Sequence, residues 1–178
     1  MPAGFSTIEP LAATHELEGF DSGAPSLDHW LKTWACHSHK LGSAKTFVVC
    51  LENTRRVVGF HALAAASASK DVVPRRVAAG LSPRHEVSLV LLARLAVDKR
   101  YQGRKLGKAL LRDAMVRTLV AADQIGVVAM VVQAKDDEAY RFYEHFGFLP
   151  SPLKPGQMFI PLGTIRRAVS EGADPPAF

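Results

Sequence analysis

The chain has 178 residues, of which 48% are apolar, with 22 Lys plus Arg against 17 Asp plus Glu. That mixture is ordinary for a globular protein and excludes a disordered chain, a collagen and a disulfide scaffold. Its length suits one core that needs no metal or disulfide staple, so we expect a single domain over residues 1–170 and a flexible tail at 171–178.

The apolar runs are far shorter than the roughly 20 residues of a bilayer span, so no membrane association is expected. The opening Met1-Pro2-Ala3-Gly4-Phe5 has neither a basic nor an apolar leader region, and no secretory signal is expected. Cys36 and Cys50 fit no metal-ligand spacing, and the simplest setting is a reduced cytoplasm with no bound metal. The first 31 residues carry Glu9, Glu16, Glu18, Asp21 and Asp28 and no Lys or Arg, so the remainder holds a net +10. Between Arg94 and Arg117, eight basic residues stand against two acids, Asp98 and Asp113. Such a block suits a polyanionic ligand, a phosphorylated cofactor or a nucleic acid. It reads equally as a solvated helix face.

Residues 5–11 predict a first strand. Residues 25–41 predict a helix, because Leu27, Trp30, Leu31, Trp34 and Ala35 recur at i, i+3, i+4, i+7 and i+8, with Ser26 as N-cap and Gly42 just past the end. Residues 46–51 and 57–66 predict two strands joined across Glu52-Asn53-Thr54-Arg55. Pro74, Gly80 and Pro83 leave residues 70–84 irregular. Residues 87–97 (VSLVLLARLAV) are almost continuously apolar, the pattern of a strand buried on both faces. A glycine-containing turn leads into a helix over 105–123, with Leu106, Ala109, Leu110, Ala114, Val116 and Leu119 to one side. Residues 126–132 predict another buried strand. Asp136, Asp137 and Glu138 then open a helix at the positive end of its dipole, and Gly147 stops it. Residues 157–162 predict the last strand, and 172–178 a frayed end. In this order the helices must cover a central sheet on both faces.

The chemistry concentrates where the buried strand meets the basic turn. The first amides of the helix that follows have no intrahelical acceptor and point outward with the helix dipole behind them. Gly103 and Gly107 allow close backbone approach, and Arg104, Lys105 and Lys108 add positive charge. A pyrophosphate would suit this turn. The spacing from Gly103 to Gly107 is one short of a Walker A loop, with Ala109 where the magnesium-binding hydroxyl would stand, and the dinucleotide fingerprint GxGxxG is absent.

Gln102-Gly103-Arg104-Lys105-Leu106-Gly107 resembles the acetyl-CoA signature R/Q-x-x-G-x-G/A of the GNAT superfamily of N-acetyltransferases, departing at the fourth position, where Lys105 replaces glycine. Ala139-Tyr140-Arg141-Phe142-Tyr143-Glu144-His145-Phe146-Gly147-Phe148 resembles the family's A-x-x-F-Y-x-x-x-G-F helix. Three further stretches are similar to the GNAT toxins of bacterial toxin–antitoxin modules: Gly19-Phe20-Asp21-Ser22-Gly23 with the helix after it, Leu92 through Asp98, and Gly147 through Pro152. The similarity thus spans nearly the whole chain.

The resemblance implies an α/β (mixed α+β) GNAT fold, with a mixed, mostly antiparallel twisted sheet of about six to seven strands. It implies acetyl-CoA as co-substrate, held by the backbone of Leu95, Ala96 and Val97 and by Gln102, Gly103, Arg104, Lys105, Leu106, Gly107 and Lys108. Tyr143 would be the general acid that protonates the departing sulfur; its other reading is a tyrosine that only packs. The acceptor would be the α-amino group of aminoacyl-tRNA, whose acetylation blocks translation. The partners implied are a small antitoxin of the ribbon-helix-helix type and a second copy of the chain in a homodimer.

Other residues are less decided. Many relatives place a glutamate base near the position of Leu91, where none stands here, and Glu86 is the fallback. An α-amine with a reference pKa of about 7.7–8.0 has less need of a base than a lysine. Arg75, Arg76, Arg84 and Arg94 are candidate substrate contacts, and Arg94 reads equally as half of a structural ion pair. His37 and His39 do not share a helix face, and His29, His61 and His145 read as surface or core residues. Trp30 and Trp34 read as core, and Cys50 as an inert buried thiol. Two other functions stay open: acetylation of a small amine or a protein N-terminus, and a nucleic-acid-binding module with a degenerate coenzyme site.

Overall fold

The structure, a computed structural model, describes residues 1, 4–83 and 86–171. Seven strands, β1 (Glu9–Pro10), β2 (Lys45–Cys50), β3 (Val57–Ala68), β4 (Val87–Val97), β5 (Ala129–Gln133), β6 (Leu149–Pro150) and β7 (Gln157–Pro161), pair in the order β1-β2-β3-β4-β5-β7-β6. The β1–β2, β2–β3, β5–β7 and β6–β7 pairs are antiparallel. Among the described residues there are six helices: α1 (Pro25–Thr33), α2 (Ala35–Leu41), α3 (Arg75–Ala78), α4 (Leu106–Ala122), α5 (Asp137–His145) and α6 (Leu162–Ser170). The mixed α/β class and the mostly antiparallel sheet are as the sequence implied. None of these helices is long and apolar enough to cross a membrane.

The chain forms two compact units, Met1–Ala64 with Leu92–Ala114, and Ala65–Leu91 with Met115 onward. In the first unit, successive strand residues point to opposite faces. Val48 and Ala96 join Leu31 and Ala35 of α1 and α2 in one buried cluster. Their neighbours Val49 and Val97 join Leu106 and Leu110 of α4 in another. The two helical layers therefore cover opposite faces, as the element order required. Gly59 lets α4 approach β3: a Cβ there would come within 3.0 Å of Leu110 Cδ1 and of Val49 Cγ1.

In the second unit, Ala129, Val131 and Phe159 are buried with Val72, Val73 and Val77 of the α3 region. The alternate residues Met130, Val132, Met158 and Ile160 are buried too. Burial on both faces is why these strands read as continuous apolar runs. Helix α5 starts at Asp136, whose side chain accepts the Ala139 amide at 2.8 Å.

Several expectations need correction. The helix over 25–41 breaks into α1 and α2 at Trp34, whose side chain turns outward and is 52% exposed rather than core. Ser26 is not the N-cap: Ala24 holds that place and makes no side-chain cap bond, because Pro25, with its fixed φ and missing N–H, already serves as the first helical residue. Gly42 does end α2, with φ 86°. The strand over 5–11 shrinks to Glu9–Pro10, with Phe5 bridging Leu51 in isolation. Residues 70–84 hold a 3-10 turn (Lys70–Val72) and the four-residue α3. Val116 and Leu119 of α4 are only half-buried, and the buried face runs through Leu106, Leu110, Leu111, Ala114, Met115 and Thr118. Strand β6 and helix α6 were not anticipated. The tail at 172–178 lies outside the described residues.

Candidate active site

Strand β4 ends in Leu95, half-buried, and Ala96 and Val97, both buried. The chain then turns at Asp98, and the turn is built from donors aimed at that one carboxylate. Asp98 is fully buried; its Oδ1 accepts from the Arg100 amide at 3.0 Å and from Arg100 Nε at 2.8 Å. Its Oδ2 accepts from Arg100 Nη2 at 2.6 Å and from the Asp21 amide at 3.2 Å. Burial alone would raise the carboxyl, but the bonds from Arg100 and Asp21 outweigh it and hold the pKa at about 2.

The turn is also fastened to the loop before α1. Arg100 Nη2 donates to Gly19 O at 2.7 Å, the Lys99 amide to Asp21 O at 2.8 Å, and Lys99 Nζ pairs with Asp21 Oδ2 at 2.5 Å. Gln102 Nε2 donates to Val97 O at 2.9 Å and to Ser22 O at 3.1 Å. The Gln102 side chain thus ties the turn to both of its neighbours, a role that spacing alone could not reveal.

Beyond Gln102, Gly103, Arg104 and Lys105 are exposed. Gly103 has φ 76° and Lys105 has φ 64°. The signature's fourth position, where Lys105 departs from glycine, is therefore a left-handed residue, and this explains the usual glycine. Lys105 adopts that conformation anyway, so the turn is intact. Its carbonyl accepts the Ala109 amide at 3.1 Å and opens α4. The Arg104 guanidinium lies 5.6 Å from the Tyr101 ring centroid. The side chain of Leu106, the first residue of α4, is buried with Val49, Val58 and Val97, so only its backbone can face a ligand; Gly107 and Lys108 are half-buried.

In the second unit, Tyr143 lies on α5, 8% exposed, edge-on to Phe142 and Phe148 with ring centroids 5.3 and 5.2 Å away. Burial pushes its phenol up to about 12, so it is protonated throughout the neutral range. Gly147, with φ 92°, ends the helix behind it and lets the Phe148 amide return to Tyr143 O at 3.1 Å. Leu91 is half-buried, and the exposed Glu86 accepts a hydrogen bond from Ser67 Oγ at 2.6 Å.

Of the candidate substrate arginines, Arg75 and Arg76 are exposed on α3, and Arg84 lies outside the described residues. Arg94 stacks on Trp30, its Cζ 4.1 Å from the ring centroid, and has no carboxylate partner among the described residues. The ion-pair reading is therefore set aside. His61, fully buried, is paired with Asp113 through Nε2 at 2.7 Å, a core role. Glu9, His15 and Cys50 each bring a potential metal-ligand atom within 4.8 Å of the others. Both His15 ring nitrogens are already engaged, by the Ala12 amide and Glu9, and Arg55 Nη1 donates to the same Glu9 oxygen at 2.8 Å. This is a hydrogen-bonded cluster, and burial pushes the Cys50 thiol up to about 11, as an inert cysteine requires.

Sequence reasoning missed Asp98, Arg100 and Asp21 as the frame of the turn. The one available signal was a charged residue placed directly after a strand buried on both faces.

A seven-stranded sheet with a basic left-handed turn between a buried strand and a helix suits a coenzyme-dependent transferase, and residues 43–150 match the acetyltransferase (GNAT) domain. The chain belongs to the GNAT acetyltransferase family. It is 40% identical over 169 residues to the tRNA-acetylating toxin of Mycobacterium tuberculosis, covering 95% of this chain and 99% of that one. The structure of AtaT complexed with acetyl-methionyl-tRNAfMet superposes with a TM-score of 0.84 at 26% identity, covering 92% of this chain and 98% of that one. A Tyr→Phe mutant of the AtaT toxin, bound to the C-terminus of the antitoxin AtaR and acetyl-CoA, superposes with a TM-score of 0.78 at 25% identity, covering 92% and 97%. The donor set of this turn fits acetyl-CoA: exposed backbone ahead of a 17-residue helix, with Arg104 and Lys105 beside it, suits a pyrophosphate.

Proposed function

We propose that this chain is a toxin that transfers the acetyl group of acetyl-CoA to the α-amino group of aminoacyl-tRNA and so blocks translation. The observation that carries the reading is the 40% identity, across 95% of the chain, to a tRNA-acetylating toxin. The net +10 beyond residue 31 exceeds what one pyrophosphate needs and supports a nucleic-acid substrate.

In this reading the backbone of Gly103 to Lys108, with the Arg104 and Lys105 side chains, holds the coenzyme pyrophosphate, and Asp98, Arg100 and Gln102 keep the turn in shape. The amides of Leu95, Ala96 and Val97 take the pantetheine arm and the acyl oxygen. When bound, acetyl-CoA supplies a thioester carbonyl open to attack by an amine. Tyr143 holds at its Oη the proton that the leaving sulfur needs; its burial keeps that proton in place near pH 7. With no carboxylate at Leu91, the acceptor is best an amine that is partly neutral at pH 7, which favours an α-amine over a lysine. Arg75 and Arg76 contact tRNA phosphates. The partners are an antitoxin of the ribbon-helix-helix type and a second copy of the chain, in the cytoplasm.

The test is incubation with labelled acetyl-CoA and charged tRNA, followed by separation of RNA, protein and small molecules. Label in the RNA fraction, released with the amino acid on mild base, is the expected result. Label confined to protein or small amines overturns the reading.

A further inference from the structure

In the first unit an aromatic pair of the core, Phe60 and Trp30, carries a cation that the coenzyme turn does not use. Phe60 is fully buried; Trp30 of α1 lies parallel to it, 15° between planes and 6.2 Å between centroids. The Arg94 guanidinium also lies over Trp30, 4.1 Å from the ring centroid. Trp30 is thus engaged by both Phe60 and Arg94. Arg94 is half-buried on β4 and one residue before the segment Leu95–Val97.

Arg94 is unusual in what it lacks. Its guanidinium carries five N–H donors, and among the described residues none accepts a hydrogen bond from it. Arg100, by contrast, is engaged by Asp98 and Gly19. Desolvation shifts Arg94 downward from its ordinary value, so the group is partly stripped of water without a carboxylate in exchange. A planar cation lying over an aromatic ring can present two things at once: its own π-face and an edge of unengaged donors. A single-stranded nucleotide offers the match for both, a base to stack and a phosphate to accept.

The side of the sheet matters as well. Arg94 shares strand parity with Ala96, which packs toward α1 and α2, whereas Val97 packs toward α4. Arg94 therefore lies on the face opposite the helix whose start holds the coenzyme phosphates, where an acceptor can approach β4 without competing with them.

We propose that Arg94, backed by Trp30 and Phe60, is the subsite that takes a base and phosphate of the single-stranded 3′ end of the charged tRNA. The inference rests on the tRNA reading above and deepens it. Arg94 is then a substrate-positioning residue that sets affinity for the acceptor and leaves the coenzyme untouched.

The test uses Trp30 as reporter. In a Trp34→Phe background, which removes the exposed indole, Trp30 is the remaining tryptophan. Its emission is titrated with a short single-stranded oligonucleotide ending in CCA and with inorganic phosphate. In parallel, KM and kcat for charged tRNA are measured for the parent, Arg94→Gln and Arg94→Lys, and acetyl-CoA binding is followed by thermal shift to show that each variant is folded. The oligonucleotide should change Trp30 emission saturably, and phosphate alone should not. Arg94→Gln should abolish the response and raise KM about 10-fold, the scale of one stacked base, with kcat and acetyl-CoA binding held. Arg94→Lys, which keeps charge but loses the plane, should recover only part of the affinity. An unchanged KM in Arg94→Gln, or full rescue by lysine, overturns the subsite while leaving tRNA acetylation standing. A parent enzyme that acetylates no charged tRNA removes the reading beneath it, and an oligonucleotide that leaves Trp30 emission unchanged removes the subsite independently.

Discussion

Asp98 and Arg100, two residues apart, form a two-pronged pair: Oδ1 accepts from Nε at 2.8 Å and Oδ2 from Nη2 at 2.6 Å. Such a pair in so tight a turn fixes the guanidinium in plane and lets the second N–H of the same Nη2 reach Gly19 O. The carboxyl, held at about 2 against an ordinary 3.8, is depressed on folding. Its contribution to stability is therefore full above pH 3.8 and is lost as the pH falls toward 2, on the order of 2 kcal/mol. Asp98→Asn should lower the melting temperature at pH 7 by about 4–8 °C for a chain of this size. The gap between parent and variant should close as melts are repeated toward pH 2. A gap that stays constant with pH would assign the loss to packing instead.

Lys105 has φ 64° in a position where the family carries glycine. Left-handed backbone costs a residue with a Cβ roughly 1–2 kcal/mol. Lys105→Gly should therefore leave stability equal or higher and keep acetyl-CoA binding. Lys105→Val, branched at Cβ, should lower the melting temperature, and Lys105→Glu should weaken acetyl-CoA binding through its charge. Thermal melts with and without acetyl-CoA separate the three.

Tyr143→Phe should leave acetyl-CoA binding nearly intact and lower turnover by about 10²–10⁴-fold if the phenol is the general acid. The pH profile carries the second check. With the phenol pushed up to about 12, the acid form persists through the working range, so turnover should show no alkaline fall due to Tyr143 below pH 10 or so. Near-parent turnover in the variant would return Tyr143 to packing between Phe142 and Phe148.

Arg75→Glu combined with Arg76→Glu should impair acetylation of charged tRNA and spare acetyl-CoA binding, because both side chains are exposed on α3 and stabilise nothing that would be lost. Affinity of the parent for charged tRNA should fall steeply with salt, and less steeply in the double variant, since each lost phosphate contact removes about one released counterion. Equal salt slopes would clear α3 of a role in RNA binding.

The parts of the molecule written in one residue's neighbours were legible in the sequence. Strand β4 showed as a continuous apolar run, α5 opened at an acidic cap, and the glycine-containing basic turn between β4 and α4 stood out as a turn. What escaped depends on distant chain. The Asp98 cage needs Asp21 and Gly19, 77 and 81 residues from their partners. Trp34 fitted the helical period of Leu27 and Leu31, yet a break in the helix turned it outward. Helix α6 did carry Leu162, Ile165 and Val169 at i, i+3 and i+7, but it starts directly after β7 with no polar gap to mark it. Arg94 read equally as a substrate contact and as half of an ion pair, because its actual neighbour, Trp30, is an aromatic face, which leaves no charge pattern to read.

The clasp between residues 19–23 and the turn after β4 sets an order of events for the growing polypeptide. The N-terminal half of the clasp leaves the ribosome first and must wait for some 80 residues of intervening chain before Asp98 and Gln102 can receive it. Until then the turn holds only its local bonds, Asp98 with Arg100 and Gln102 with Val97 O, and closing so large a loop is slow compared with forming a local turn. The full set of bonds that shapes the turn is thus completed only after residue 102 has been synthesised, and it joins stretches of chain made far apart in time.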